Sequence, residues 1–228
     1  MDIDLISTNF LIILGGFDET IKLVFLSLSV GFLVSIFFAL IRVSSIKPLS
    51  LTIYYYIFII RGTPLLVQIY LIYFGLASIK AIRESFLWFF LKEPFWCGVL
   101  ALVLNTVAYT TEIIRGGIQS VTKGQIESCK SLGMNRFIMY YKIILPVAFR
   151  NAFPAYGNEM ILMVKATSLV SLTTYMEMTG LARNIMSKTF APIEAFIAAG
   201  SIYLFINFIV VQFIKFLEWK YNPHLRLK

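Results

Sequence analysis

Long apolar stretches recur five times along this chain, over about 21–41, 64–79, 95–114, 155–174 and 193–216. A bilayer core takes about 20 consecutive apolar residues as a helix. Inside hydrocarbon every backbone N–H and C=O must be paired internally, so helices are the expected form of each stretch. Of the 228 residues, 59% are hydrophobic and only 14% charged, against about 45–50% apolar and about 25% charged in a soluble domain. The expected fold class is an all-α polytopic membrane protein with five transmembrane helices. A further apolar patch, Phe10 to Leu14, is too short to span and is closed by Gly15-Gly16. The chain opens on Asp2 and Asp4 rather than a basic region, so no cleavable signal peptide is expected and the first span serves for insertion.

The basic residues set the expected orientation, because short cytoplasmic loops carry an excess of Lys and Arg. With the loop between spans one and two, the 123–146 loop and the tail on one side, that side collects Arg42, Lys47, Arg61, Arg115, Lys123, Lys130, Arg136, Lys142, Arg150, Lys215, Lys220, Arg226 and Lys228. The other side holds Lys22, Lys80, Arg83, Lys92, Arg183 and Lys188. Thirteen against six puts the carboxyl terminus in the cytoplasm and the amino terminus outside. Cys97 and Cys129 then fall on opposite sides, so no disulfide is expected, and two cysteines with one histidine, His224 in the polar tail, are too few to hold a metal.

The least membrane-like stretch is Gly124 to Pro146. Ile126, Cys129 and Leu132 recur every third residue, giving a short helix an apolar stripe backed by Gln125, Lys130 and Ser131. Gly133 follows as a helix stop, since glycine takes the left-handed conformation without steric cost. Such a helix either docks in a groove of another protein or lies on the bilayer surface. Glu127, two small residues Ser128 and Cys129, Gly133 three residues later, and Ile143, Leu145 and Pro146 stand in the register of a known signature. This spacing resembles the EAA loop of permease subunits of bacterial ABC importers, with Ser-Cys replacing the two alanines. Arg61-Gly62-Thr63-Pro64, followed by Leu65 and Gln68, is a further point of similarity to the polar amino acid permeases among them. So are Asn105 to Glu112 and Pro154 to Glu159. Over nearly the whole chain the order of these segments resembles the M-type permeases of histidine/lysine/arginine/ornithine, arginine, octopine and nopaline importers.

Substrate contacts are expected from polar residues that a span can tolerate only beside a cavity or partner. A charge at the centre of a span costs about 2.5–3.5 kcal/mol on insertion scales. Span four contains Glu159 and Lys165, and Asn158 shares a helix face with Lys165, seven residues away. Glu159 and Lys165, six apart, are poorly placed to pair within one helix. Glu159 either receives a cationic group on a substrate or makes an ion pair between helices. Lys165 meets a substrate carboxylate or serves structurally, and Gln68 and Ser168 are hydrogen-bonding candidates, as is Thr167.

The resemblance implies the type I ABC importer (MetI-like) fold, in the bacterial inner membrane, for a polar, basic L-amino acid or a derivative such as an opine. It implies a second homologous permease subunit, a dimer of ATPase subunits, a periplasmic amino acid-binding protein and lipid as partners, and no nucleic acid. The coupling residues would be Glu127, Ser128, Cys129, Leu132, Gly133 and Pro146. The chain itself would be no enzyme and hold no cofactor, ATP and magnesium belonging to the partner ATPase; Arg115-Gly116-Gly117 is no phosphate loop, as no strand precedes it and no Gly-Lys-Ser/Thr follows. The main rival is a secondary transporter driven by an ion gradient, disfavoured because five spans do not divide into inverted repeats.

Overall fold

The computed structural model describes residues 3–221; Asp2, His224, Arg226 and Lys228, used above in the charge pattern, lie outside the described residues. All regular structure among the described residues is helical. The elements are α1 (Ile3–Leu14), α2 (Phe17–Val43), α3 (Lys47–Gly62), α4 (Leu65–Ser78), α5 (Pro94–Gln119), α6 (Lys123–Ser131), α7 (Arg136–Met139), α8 (Leu145–Ala166), α9 (Met178–Thr189) and α10 (Pro192–Tyr221). Single helical turns, Lys80–Arg83 and Trp88–Leu91, lie between α4 and α5.

Three helices, α2, α5 and α10, are each long and apolar enough to cross a membrane, and α3 with α4 makes a fourth candidate broken by a bend of 104°. The chain is therefore a multi-pass membrane protein. Three boundaries differ from the sequence expectation. The segment expected to span as 64–79 is only the second arm of a broken pair, because α3 already runs for 16 residues before Thr63-Pro64. Proline lacks the N–H that would continue the helix, and the residue before it is pushed to extended backbone; Thr63 has φ −116° and ψ 143°. Arg61 accordingly lies about 21 Å along α3 from Lys47, not in the loop between the first two spans, and the count on that side falls to twelve.

The second difference is α5, which passes straight through Gly116-Gly117 to Gln119 instead of stopping at Arg115. A Cβ on Gly117 would lie 2.5 Å from the Ala148 carbonyl oxygen, so this glycine serves close approach of α5 to α8 rather than a helix stop. The third concerns the stretch expected as 155–174. Its helix begins well before residue 155: α7, a π turn over Tyr140–Ile144 and α8 follow one another without a break. Pro146, in the first turn of α8, cannot bond the carbonyl four residues back, and the wider turn before it absorbs that loss. At the other end α8 tightens into a 3₁₀ turn, Thr167–Thr173, closed by Thr174 in the left-handed conformation at φ 68°.

Packing is of the small-residue kind that membrane helices use when lipid is as apolar as the core. Ser27, Gly31, Ser35 and Ala39 repeat every fourth residue on the buried face of α2, which lies along α5. A Cβ on Gly31 would meet Thr106 Cγ2 at 2.5 Å. One apolar cluster joins Leu23 of α2, Leu102 of α5, Met163 of α8 and Val170. Another joins Ile13 of α1, Met178 of α9 and Ile202 of α10, so the short α1 is packed against α10 rather than spanning. The buried Glu177 carboxylate caps α9, accepting from Gly180 N at 2.9 Å and from the Tyr203 hydroxyl at 2.6 Å.

Candidate substrate cavity and coupling helix

The break between α3 and α4 builds one wall of a cavity of about 630 Å³. Arg61, Gly62, Thr63, Pro64 and Leu65 supply that wall, Asn105 and Tyr109 of α5 the back, and Glu159 and Lys165 of α8 the facing side, with Ser168 and Leu169 beyond. The break exposes backbone that helix would otherwise pair, which membrane proteins tolerate only beside a cavity or protein. Gln68 holds it in shape: its side-chain amide donates to Ile60 O at 2.7 Å, Thr63 O at 3.1 Å and Thr63 Oγ1 at 2.8 Å.

Of the expected contact residues, Glu159, Lys165 and Ser168 share this cavity. Asn158 and Gln68 do not line it: Asn158 is exposed on α8, seven residues before Lys165 and beyond the cavity, and Gln68 is buried behind the break. Glu159 is 6% exposed and makes no hydrogen bond, and no ion pair within 4 Å, among the described residues. The cation acting on it is Arg61, whose guanidinium lies over the Tyr109 ring at 4.9 Å. Lys165 is exposed and has no ion pair among the described residues. Lys165 and Ser168 also line a second cavity of about 250 Å³, whose other walls include Thr179, Gly200 and Tyr203. The chemistry available is thus one buried carboxylate and two cations around a polar space, without a nucleophile and base in contact.

Asn105, Tyr109 and Arg61 were not among the substrate candidates read from the sequence. Asn105 and Tyr109 are four apart inside an apolar span, which marks one helix face carrying polar groups. That signal was present; Arg61 was misplaced with the helix boundary.

The 123–146 loop forms a capped helix, α6. Thr122 and Gln125 make a reciprocal capping box, with Gln125 N donating to Thr122 Oγ1 at 3.3 Å and Thr122 N to Gln125 Oε1 at 3.0 Å. Its other end is a Schellman turn: Gly133, at φ +69°, donates to Lys130 O at 2.9 Å, and Met134 N to Cys129 O at 3.1 Å. The stripe expected to dock turns mostly inward. Cys129 packs against Val121, Met139 and Ile144, and Ile126 joins them, because these are the apolar groups of its own loop. Glu127, Ser128 and Pro146 are exposed, and so is Leu132 at 75%. The sequence reading missed Phe137 and Tyr141, exposed and stacked with rings 6.3 Å apart and parallel within 2°.

A broken helix beside a cavity that holds a buried carboxylate, with a capped helix on a loop of the same bundle, is an arrangement suited to a membrane transport subunit. The chain belongs to the family of binding-protein-dependent transport system inner membrane components, whose model matches residues 31–222. It is 50% identical to the nopaline transport system permease of Agrobacterium fabrum, over 100% of this chain and 95% of that protein. To the octopine transport system permease of Rhizobium radiobacter it is 46% identical, over 96% and 89%. The histidine/lysine/arginine/ornithine transport system permease of Escherichia coli K12 is 39% identical, over 92% and 89%. The fold is similar to a crystal structure of an amino acid ABC transporter with histidines, at TM-score 0.86 and 37% identity over 96% of this chain and 99% of that one. The inward-facing methionine ABC transporter shares the fold at TM-score 0.66 and 13% identity.

Proposed function

We propose that this chain is one of two homologous permease subunits of an inner-membrane ABC importer for a basic amino acid or an opine. It crosses the membrane five times, amino terminus outside and carboxyl terminus in the cytoplasm, with α8 as the fourth crossing and α10 as the fifth. Two copies of an ATPase subunit dock on the exposed side of α6 and on Phe137 and Tyr141, and a periplasmic binding protein delivers the substrate. ATP and magnesium act on the ATPase, and this chain holds no cofactor. Its own part is to bind, orient and release: the cavity opens alternately to the two sides as α6 is moved.

The observation that carries the reading is the unpaired Glu159 carboxylate in the cavity between Arg61 and Lys165. In this reading Glu159 accepts from a guanidinium or ammonium group, which a half-dry cavity strengthens. Arg61 and Lys165 take carboxylates, and two cations beside one carboxylate suit opines, which carry more carboxylates than a free basic amino acid. The relatives named for nopaline and octopine agree with that count. The test is uptake of labelled arginine, octopine and nopaline into vesicles carrying the whole complex, with ATP inside. Glu159→Gln replaces a charge-assisted bond with a neutral one, a loss of about 1–2 kcal/mol, so KM for a guanidinium substrate rises roughly 5–30-fold. An unchanged KM sinks the assignment of Glu159, and uptake without ATP sinks the importer reading.

A further inference from the structure

A second charged cluster, apart from the cavity, sits where α2, α3 and α5 meet. Arg115 Nε and Nη2 both donate to Glu112 Oε2, at 2.9 and 2.6 Å, and Arg115 Nη1 donates to Gln119 Oε1 at 2.6 Å. The other carboxylate oxygen, Glu112 Oε1, faces Arg42 Nε at 3.6 Å. Both atoms are buried, and neither has a hydrogen-bond partner. At that distance they make an ion pair slightly longer than a hydrogen bond. Arg42 meanwhile holds the start of α3: Nη1 donates to Ser50 Oγ at 3.1 Å and to Ser50 O at 3.3 Å, with the guanidinium 5.2 Å from the centre of the Tyr54 ring.

The cluster joins the two functional parts of the chain. Gln119 is the last residue of α5, and two residues on Val121 packs against Cys129 of α6. At the far end of α3 stands Arg61, stacked on Tyr109, which is three residues from Glu112 on α5. Every other contact in the cluster is closed. Arg42–Glu112 is the longest of the side-chain polar contacts in the cluster, so it is the one that a small displacement shortens or parts first, a difference of about one charge-assisted hydrogen bond.

We propose that Glu112 is the positioning residue that passes displacement of α6 to α3, and so to Arg61 at the cavity, by making and breaking its contact with Arg42. The proposal rests on the reading of α6 as the helix an ATPase moves. As α5 shifts with α6, Glu112 is carried toward or away from Arg42. Arg42 then tilts α3 through Ser50 and Tyr54. A partly buried ion pair suits this role because water screens it less than it screens a surface pair, so its energy responds more to distance.

The experiment uses the whole complex in proteoliposomes, with binding protein loaded with arginine or with octopine, and reads uptake and ATP hydrolysis in the same vesicles. Glu112→Gln still accepts from Arg115 but loses the ionic contact with Arg42. Recovery of the assembled complex should stay within twofold, while ATP hydrolysed per molecule imported rises at least fivefold. Arg42→Gln, which also loses the contacts to Ser50 and Tyr54, should do at least as much, and the double variant should be no worse than Arg42→Gln alone, since the ionic contact is lost only once. A merely structural role would lower uptake and hydrolysis together with the amount of complex, leaving their ratio unchanged. A ratio within twofold of the unmodified complex, or effects of the two substitutions that multiply, overturns the proposal. Unmodified complex that hydrolyses no ATP in response to loaded binding protein overturns the importer reading and this one with it.

Discussion

Gly133 offers a way to separate the shape of the coupling helix from its contacts. Its φ of +69° lies in the left-handed region, and a Cβ built there meets nothing within 4 Å. Any effect of a side chain at this position therefore comes from the backbone and not from crowding. An L-residue with a Cβ pays roughly 1–2 kcal/mol in that conformation; asparagine tolerates it best, and β-branched residues worst. At stake are the two closing bonds of the turn, Gly133 N to Lys130 O at 2.9 Å and Met134 N to Cys129 O at 3.1 Å. Since 1.4 kcal/mol is a factor of ten in an equilibrium, Gly133→Ala should raise the open population of the turn about 5–30-fold. Gly133→Asn should raise it less and Gly133→Val more. Hydrogen exchange of peptides covering 123–135, read by mass spectrometry on the purified complex, follows that population directly. Co-purification of the ATPase should decline in the same order. Equal exchange rates for the asparagine and valine variants, or an alanine variant within twofold of the unmodified chain, would falsify the backbone argument.

Two neighbouring glycines of α5 make a matched pair. A Cβ on Gly117 would sit 2.5 Å from the Ala148 carbonyl oxygen and 2.9 Å from Ala152 Cβ, whereas one on Gly116 meets nothing within 4 Å. Gly117→Ala should therefore cost about 1–3 kcal/mol by forcing α5 and α8 apart, and Gly116→Ala should be neutral or gain up to about 1 kcal/mol of helix propensity. Thermal denaturation of the detergent-solubilised complex checks both, and the reverse order defeats the packing account. On α6, the buried Cys129 should react slowly with a maleimide, while Leu132→Cys, replacing a side chain 75% exposed, should react at once and be protected when the ATPase is bound. Cys129 labelling as fast as Leu132→Cys would place the inward face of α6 wrongly.

Periodicity and composition are local properties, and they located what is decided locally. The apolar runs that became α2, α5 and α10, the glycine that closes α6, and the charged residues of span four were all readable in this way. What escaped was decided by contacts between segments. Gly116-Gly117 reads as a helix end, yet α8 approaches so closely that a glycine inside α5 is what the packing needs. Ile126 and Cys129 read as a docking stripe, but the apolar residues Val121, Met139 and Ile144 of the same loop claim them first. The span expected from residue 64 begins at the break before α4, and what remained hidden was a whole helix in front of it, since Leu51 to Ile60 is tyrosine-rich rather than uniformly apolar. That one boundary moved Arg61 from a loop to the cavity wall.

The outward surface of the bundle is divided between two kinds of neighbour. On α2 the exposed residues include Phe25, Leu33 and Phe37, and on α10 Leu204, Phe205, Phe208 and Phe213, all suited to acyl chains. On α8 the exposed residues are mixed: Phe149 and Leu162 stand among Asn151, Asn158 and Lys165, the last three spaced by seven and hence nearly in line along the helix. Asn151 is bonded to Ser120 at 2.7 Å, but the side chains of Asn158 and Lys165 show no hydrogen-bond partner among the described residues. Lipid cannot cover such a line cheaply, as a lysine deep in a span costs about 2.5–3.5 kcal/mol. In the proposed importer this line on α8 is the side that suits the second permease subunit. Because Lys165 also borders both cavities, that subunit would close the substrate site with residues of its own, and Asn158, which lines neither cavity here, would meet the partner rather than the substrate.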